Sequence, residues 1–295
     1  MKIGYPCINN SLKCSPNKTF RLDNYSIDLQ KKKIIENLEC LKKIFLFNKK
    51  NNLLYLRIGS GIIPFASHPI SKLDWKKEFK KDLEEIGNFI KKNNFRITMH
   101  PDQFVVLNSL NKKIVENSIK EIEYHVDFLD SLGLDESAKV QIHVGGVYEN
   151  KKESIKRFIA VYKKLNEKIK KRLVIENDDK NYSFKECFEI HKKIKIPIIF
   201  DYFHFNCLNN GEKIKDVLSK FVSTWKKKDG LPLIDYSSQE PNERIGKHAK
   251  TIDEEDFMNF IEILKKERID ADIMLEIKDK EKSALKGLVI LNKFK

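Results

Sequence analysis

Short apolar runs alternate with longer, charged segments of helical period from one end of the chain to the other. Runs at residues 2–6, 53–58, 96–100, 140–144, 172–176, 196–201, 233–236 and 272–277 predict eight strands of four to six residues. Their nearly unbroken apolar character suits parallel strands covered on both faces. Segments 74–92, 113–131, 153–171, 212–225 and 254–267 predict amphipathic helices between them. In the first of these, Phe79, Leu83, Ile86 and Ile90 recur at three- and four-residue steps, opposite lysines and acids. Strand–helix alternation repeated eight times in 295 residues predicts one α/β domain spanning residues 1–295, a (β/α)8 barrel rather than an open sheet. Stretches 7–25, 59–71 and 237–251 are longer than ordinary connections. All three follow strands, so they rim the carboxyl end of the barrel, where such folds carry their sites.

The strand ends are where the chemistry collects. The third run ends in His100 and the fourth carries His143. The fifth ends in Glu176 and the sixth in Asp201, with His204 three residues on. The seventh carries Asp235, with His248 in the loop beyond, and the eighth carries Glu276. Any one of these has a plain structural alternative, such as a core histidine or a capping aspartate. Eight at successive strand ends converge on one cavity, where uncompensated acids repel one another and are costly to desolvate. Divalent cations remove that cost, and mixed imidazole and carboxylate ligands suit Mn²⁺, Zn²⁺ or Fe²⁺ better than Ca²⁺. The set suffices for two or three ions sharing carboxylates, an arrangement that hydrolyses phosphodiesters. His125 and His191 lie inside helical segments and read as structural or surface residues.

Composition then narrows the partner. Lys+Arg 57 against Asp+Glu 43 leaves a formal charge of +14. That favours a polyanion such as nucleic acid, whose affinity rests on phosphate neutralisation; a lysine-rich proteome gives the same figure with no partner. Five cysteines, Cys7, Cys14, Cys40, Cys187 and Cys207, are odd in number and lack CxxC spacing, which fits a reducing cytoplasm better than a disulfide framework or a thiolate zinc site. The absence of a signal-like or membrane-length apolar run predicts a soluble intracellular protein.

The motifs GYPC (4–7), LRIGSGIIPFASHP (56–69), MHPDQFVVLNS (99–109), QIHVGGVY (141–148), RLVIENDD (172–179), IIFDYFH (198–204), DYSSQ (235–239), GKHA (246–249) and LEIKDKE (275–281) resemble those of the UV damage endonucleases. The resemblance spans nearly the whole chain. It implies a TIM barrel related to endonuclease IV, working with manganese on damaged double-stranded DNA. The implied reaction nicks the phosphodiester immediately 5′ to the lesion and leaves 3′-hydroxyl and 5′-phosphate ends.

Residue by residue, the resemblance implies one ion on His100, His143 and Glu176. A second shares Glu176 and adds Asp201, Asp235 and Glu276, and a third uses His204 and His248. Glu176, Glu276, His100 and Asp201 would carry the catalysis. Gln103 and Phe104 would probe the duplex where a damaged pair unstacks. Tyr5 and Asn9 would face the lesion. The chain departs from the family pattern at Leu233, where some members carry a modified lysine, and at Asp235, where some carry histidine. The resemblance also implies a monomer in the cytoplasm, associated with the nucleoid through DNA. An endonuclease IV-like abasic-site nuclease and a metal-dependent sugar isomerase or epimerase are the competing readings.

Overall fold

The computed structural model describes residues 1–294. Its strands are β1 (Ile3–Pro6), β2 (Tyr55–Ile58), β3 (Arg96–Met99), β4 (Lys139–His143), β5 (Leu173–Glu176), β6 (Ile198–Asp201), β7 (Leu233–Tyr236) and β8 (Asp272–Leu275). Each pairs in parallel with the next, and β1 returns to β8 through Ile3↔Ile273 and Gly4↔Met274, closing the barrel. The expected TIM barrel is therefore present, and the strands are buried throughout apart from half-buried His143 at the end of β4. Around it run α1 (Ile27–Lys50), α2 (Trp75–Glu78), α3 (Lys80–Lys92), α4 (Lys112–Ser131), α5 (Lys151–Lys164), α6 (Glu167–Arg172), α7 (Phe184–Ile194), α8 (Tyr202–Cys207), α9 (Ile214–Ser223), α10 (Glu254–Lys266) and α11 (Glu281–Lys293).

Two predicted helices are each broken in two. Segment 74–92 divides at Phe79, which leaves helical geometry (φ −104°, ψ 20°) with its ring buried in the core. Segment 153–171 divides at Leu165 and Asn166. Leu165 is extended and buried, and the Asn166 side chain accepts from the Ile169 amide at 2.8 Å, starting α6 afresh. An asparagine cap stabilises a helix start by about 1 kcal/mol, enough to outweigh the weak preference for a continuous helix. The cysteine expectation is corrected too: Cys14 and Cys40 form a disulfide, leaving Cys7, Cys187 and Cys207 free. The loop after β1 folds back onto α1 and brings the two Cα atoms to 5.8 Å, a proximity that a sequence separation of 26 does not announce.

The amino end of the barrel is sealed by charge. Lys139 is fully buried, its Nζ 2.5 Å from Asp229 Oδ1 and 2.9 Å from the Lys171 carbonyl. Arg96 Nη2 donates to the Asp229 and Leu231 carbonyls at 2.8 and 3.1 Å. These charges are thus paired and hydrogen-bonded at the end opposite the histidines and carboxylates. No helix among the described residues is long and apolar enough to cross a membrane.

His125 is a buried structural residue on α4. Its Nδ1 lies 2.7 Å from the Glu121 carbonyl and its Nε2 2.9 Å from Ser60 Oγ, so the neutral ring is satisfied by donating to the first and accepting from the second. Burial lowers its pKa from the ordinary 6.5 to about 4. The unfolded chain thus binds a proton that the folded chain refuses, and stability is complete above pH 6.5 and lost as pH falls toward 4. That shift corresponds to about 3 kcal/mol. Urea denaturation between pH 7 and pH 4 should show a loss about that much larger in the parent protein than in His125→Gln. Equal losses would remove His125 from the account.

Candidate metal centre and its mouth

Parallel register brings neighbouring strand ends level, and that alone gathers the ionisable groups. His143 and Glu176 are register partners across β4 and β5, as are Asp201 and Asp235 across β6 and β7. Glu176 sits at the middle with 1% exposure. His100 Nε2 and His143 Nε2 approach its Oε2 at 3.5 and 3.7 Å, and His204 Nδ1 lies 3.2 Å from its Oε1. His204 Nδ1 is also 3.2 Å from Asp201 Oδ2. Two sets of atoms consequently lie within 4.8 Å of one another: His100, His143 and Glu176, and then Glu176, Asp201 and His204.

The backbone fixes how the rings present themselves. His100 Nδ1 lies 2.8 Å from the Pro101 carbonyl, His204 Nδ1 3.1 Å from that of Asn177, and His248 Nδ1 2.7 Å from that of Glu276. A carbonyl can only accept, so in the neutral rings of His100 and His248 Nδ1 carries the proton and Nε2 keeps its lone pair, whereas His204 turns the same Nδ1 toward Glu176 and Asp201. The form held by His100 and His248 is the tautomer a metal-ligating histidine adopts.

Two buried polar atoms of the cluster, His143 Nδ1 and Asp201 Oδ2, have no hydrogen-bond partner. Burial, joined by the charges of Glu176, Glu276 and Asp235, pushes the Asp201 carboxyl well above its usual range. Burial works against a proton on His204, but Asp201 and Glu176 outweigh it and raise that ring to about 11. The cluster therefore takes up protons to relieve its negative charge, and a divalent cation relieves it by displacing them. The donor set, the orphaned atoms and the ring tautomers fit resident divalent ions.

His204 lies with Asp201 and Glu176 as well as near His248, the two ring centroids being 5.9 Å apart. Asp235 is engaged by Arg57 and Gln141 and belongs to neither set. Both its oxygens accept from Arg57 Nη2 at 2.8 Å, and Oδ2 also accepts from Gln141 Nε2 at 2.6 Å. Glu276 holds Arg57 Nη1 with Oε1 and keeps Oε2 free, 3.8 Å from His248 Nδ1. Gln141 accepts from Arg57 at 2.8 Å and donates to Glu176, so its amide ties the two halves of the floor together. Reading strand ends alone passes over Arg57 and Gln141, which stand one residue and two residues before the ends of β2 and β4. Their signal is a polar side chain with apolar neighbours on either side within a strand.

Above this floor the mouth is open. Two cavities of about 460 and 700 Å³ share a wall made by His100, Pro101, Asp102, Gln103 and His143. Gln103 and Phe104 are exposed on the tight turn after β3, the Phe104 ring at 59% exposure, and Lys278 and Lys280 line the larger cavity. Tyr5 and Asn9 do not face the mouth, which corrects the expectation for both. Tyr5 is fully buried, its hydroxyl donating to Asn48 Oδ1 on α1 at 2.6 Å and accepting from Asn9 Nδ2 at 2.8 Å. On β1 the alternation of the strand sends that ring outward into the helix layer.

Known proteins agree with this architecture at two levels. Endonuclease IV from Thermus thermophilus shares the fold alone, with a TM-score of 0.56 and 14% identity over 100% of this chain and 98% of that one. The crystal structure of SacUVDE superposes with a TM-score of 0.94 and 47% identity, covering 100% and 99% of the two chains. The UV DNA damage endonuclease of Clostridium perfringens (strain 13 / Type A) is 42% identical over 97% of this chain and 69% of its own length. The family described as UV-endonuclease UvdE matches residues 1–295 from end to end, and the chain belongs to that family.

Proposed function

We propose that the protein nicks duplex DNA immediately 5′ to UV photoproducts and related distortions by metal-assisted hydrolysis, leaving 3′-hydroxyl and 5′-phosphate ends. Family membership makes the chain a DNA repair endonuclease. The observation that carries the finer reading is the juxtaposition of two features. Buried Glu176 is ringed by His100, His143 and His204 at the floor, and exposed Phe104 stands on the rim of the same cavity.

On this reading Glu176 is shared between the two ligand sets, with His100 and His143 on one side and Asp201 and His204 on the other. His248 and the free oxygen of Glu276 complete the ring. Divalent ions held there, manganese in our reading, would supply hydroxide from water at neutral pH and would neutralise the leaving oxygen. The protein's own part is to hold its lone pairs in register, exclude bulk water from the floor and seat the phosphate. Lys278 and Lys280 at the cavity wall give that phosphate its first counter-charge. Gln103 and Phe104 enter the duplex where stacking is already weakened, since opening a distorted pair costs less than opening an intact one. The protein works as a monomer on cellular DNA, in the cytoplasm and at the nucleoid.

The deciding experiment is cleavage of an end-labelled duplex carrying one defined photoproduct, with Mn²⁺ and with chelator. A metal-dependent nick directly 5′ to the lesion is expected. Cutting at an abasic site instead would favour an endonuclease IV-like activity, and turnover of ketoses by a folded, metal-loaded sample inert to both duplexes would favour an epimerase.

Glu176→Gln should lower the nicking rate by about a thousandfold, as loss of several kcal/mol of charge stabilisation requires, while circular dichroism stays native; normal nicking would sink the shared-ligand role. The double change Gln103→Ala with Phe104→Ala should cut the preference for damaged over intact duplex by about tenfold or more, as loss of a base-stacking contact worth about 1–3 kcal/mol predicts. Bound metal should stay at the parent level. A parallel loss of metal would make the pair structural.

A further inference from the structure

Arg57 is a cation built into the floor of the site, and its surroundings leave it nowhere else to go. The side chain is 3% exposed, and its guanidinium meets Asp235, Glu276 and Gln141 at once. Arginine only donates, so the Gln141 oxygen must face it, and the Gln141 amide nitrogen is thereby directed at Glu176 and Asp235. Asp235 is fully buried, and its two oxygens between them accept three hydrogen bonds from Arg57 and Gln141. Both oxygens of Asp235 are thus already engaged by donors of the protein. The contrast with Asp201 is direct, because Asp201 is also buried and has an oxygen with no hydrogen-bond partner at all.

We propose that the Arg57 guanidinium is a resident cation of this centre, occupying by hydrogen bonds the place beside Asp235 and Glu276 that an ion would otherwise fill. Divalent ions are then confined to the ligands gathered about Glu176, and Asp235 is a partner of arginine and not a metal ligand. The carboxylates of Glu176, Asp201, Asp235 and Glu276 meet at the floor, and Arg57 offsets part of that charge with a group that cannot dissociate when the ions leave. A planar guanidinium suits the task, since its fork engages carboxylates at fixed angles and stays protonated in any surroundings. Gln141 is the spacer: its amide keeps the guanidinium and Glu176 apart while hydrogen-bonding both, so the arginine does not compete for the shared ligand.

This inference rests on the metal-centre reading above, and metal content separates the two without reference to activity. Each protein is loaded with excess Mn²⁺, freed of unbound ion, and its manganese per chain is measured by mass spectrometry. Asp235→Asn, whose amide oxygen can still accept from Arg57, should retain the parent manganese content. Glu176→Gln should lose one ion or more per chain. Arg57→Gln, which frees both carboxylates, should bind at least as much manganese as the parent, and its melting temperature should rise more when Mn²⁺ is added. Loss of an ion in Asp235→Asn, matching Glu176→Gln, would overturn the resident-cation role and leave the metal centre standing. A parent protein that holds no manganese, or any other added divalent ion, would overturn both. If Arg57→Gln does not fold, the comparison of Asp235→Asn with Glu176→Gln still decides the matter.

Discussion

Glu176, Asp201 and Asp235 are buried at one end of one barrel with Glu276 beside them, and the rest of the site answers to the cost of putting them there. Carboxylates out of water repel each other and forgo hydration, so each must find a cation, a hydrogen-bond donor or a proton. The structure uses all three. Arg57 takes Asp235 and one oxygen of Glu276. Gln141 bridges to Glu176. Protons gather on Asp201 and His204. The histidines about the floor belong to the same solution: His100 and His248 have Nδ1 held by a backbone carbonyl, which leaves Nε2 its lone pair, and His204 sets Nδ1 between Glu176 and Asp201. A barrel makes this possible: its parallel register sets His143 level with Glu176 and Asp201 level with Asp235, at the end that the loops can serve.

How much of this was legible beforehand follows from where the signal lies. Strand ends are legible because a parallel strand buried on both faces reads as an apolar run, and the residue that stops the run stands out. His100, Glu176 and Asp201 were found that way, and Glu276 lies one residue beyond the end of β8. Pairing inside the floor is not legible, since it depends on which strand ends are neighbours in register and on what else competes for each oxygen. Asp235 looks like Asp201 in sequence; the guanidinium on β2 and the Gln141 amide on β4 distinguish them. Tyr5 shows the same limit from the other side. Aromatic and amide residues near a strand end suggest a ligand face, but strand alternation places this ring among the helices, bonded to Asn48. The Cys14–Cys40 disulfide and the restarts at Phe79 and Asn166 were hidden because tertiary packing, not spacing, decides them.

Floor and rim divide the work of recognition in the proposed reaction. The floor is rigid and charged, and what it recognises is a phosphate, which every duplex offers at every step. It supplies rate without choice. The rim carries a large apolar side chain at 59% exposure, Phe104, joined to the floor through the short segment from His100. An isolated exposed aromatic is ordinary on a protein surface. It stands four residues from a ligand candidate and beside a wall common to two cavities, and in the proposed reaction it would test how readily base pairs part. Unstacking costs a few kcal/mol in intact duplex and less in a damaged one. Each 1.4 kcal/mol of that difference is about a factor of ten in how often the phosphate reaches the floor. A site that reads only the expense of opening DNA needs no pocket shaped to any one lesion, and selectivity then resides in the substrate's own mechanics.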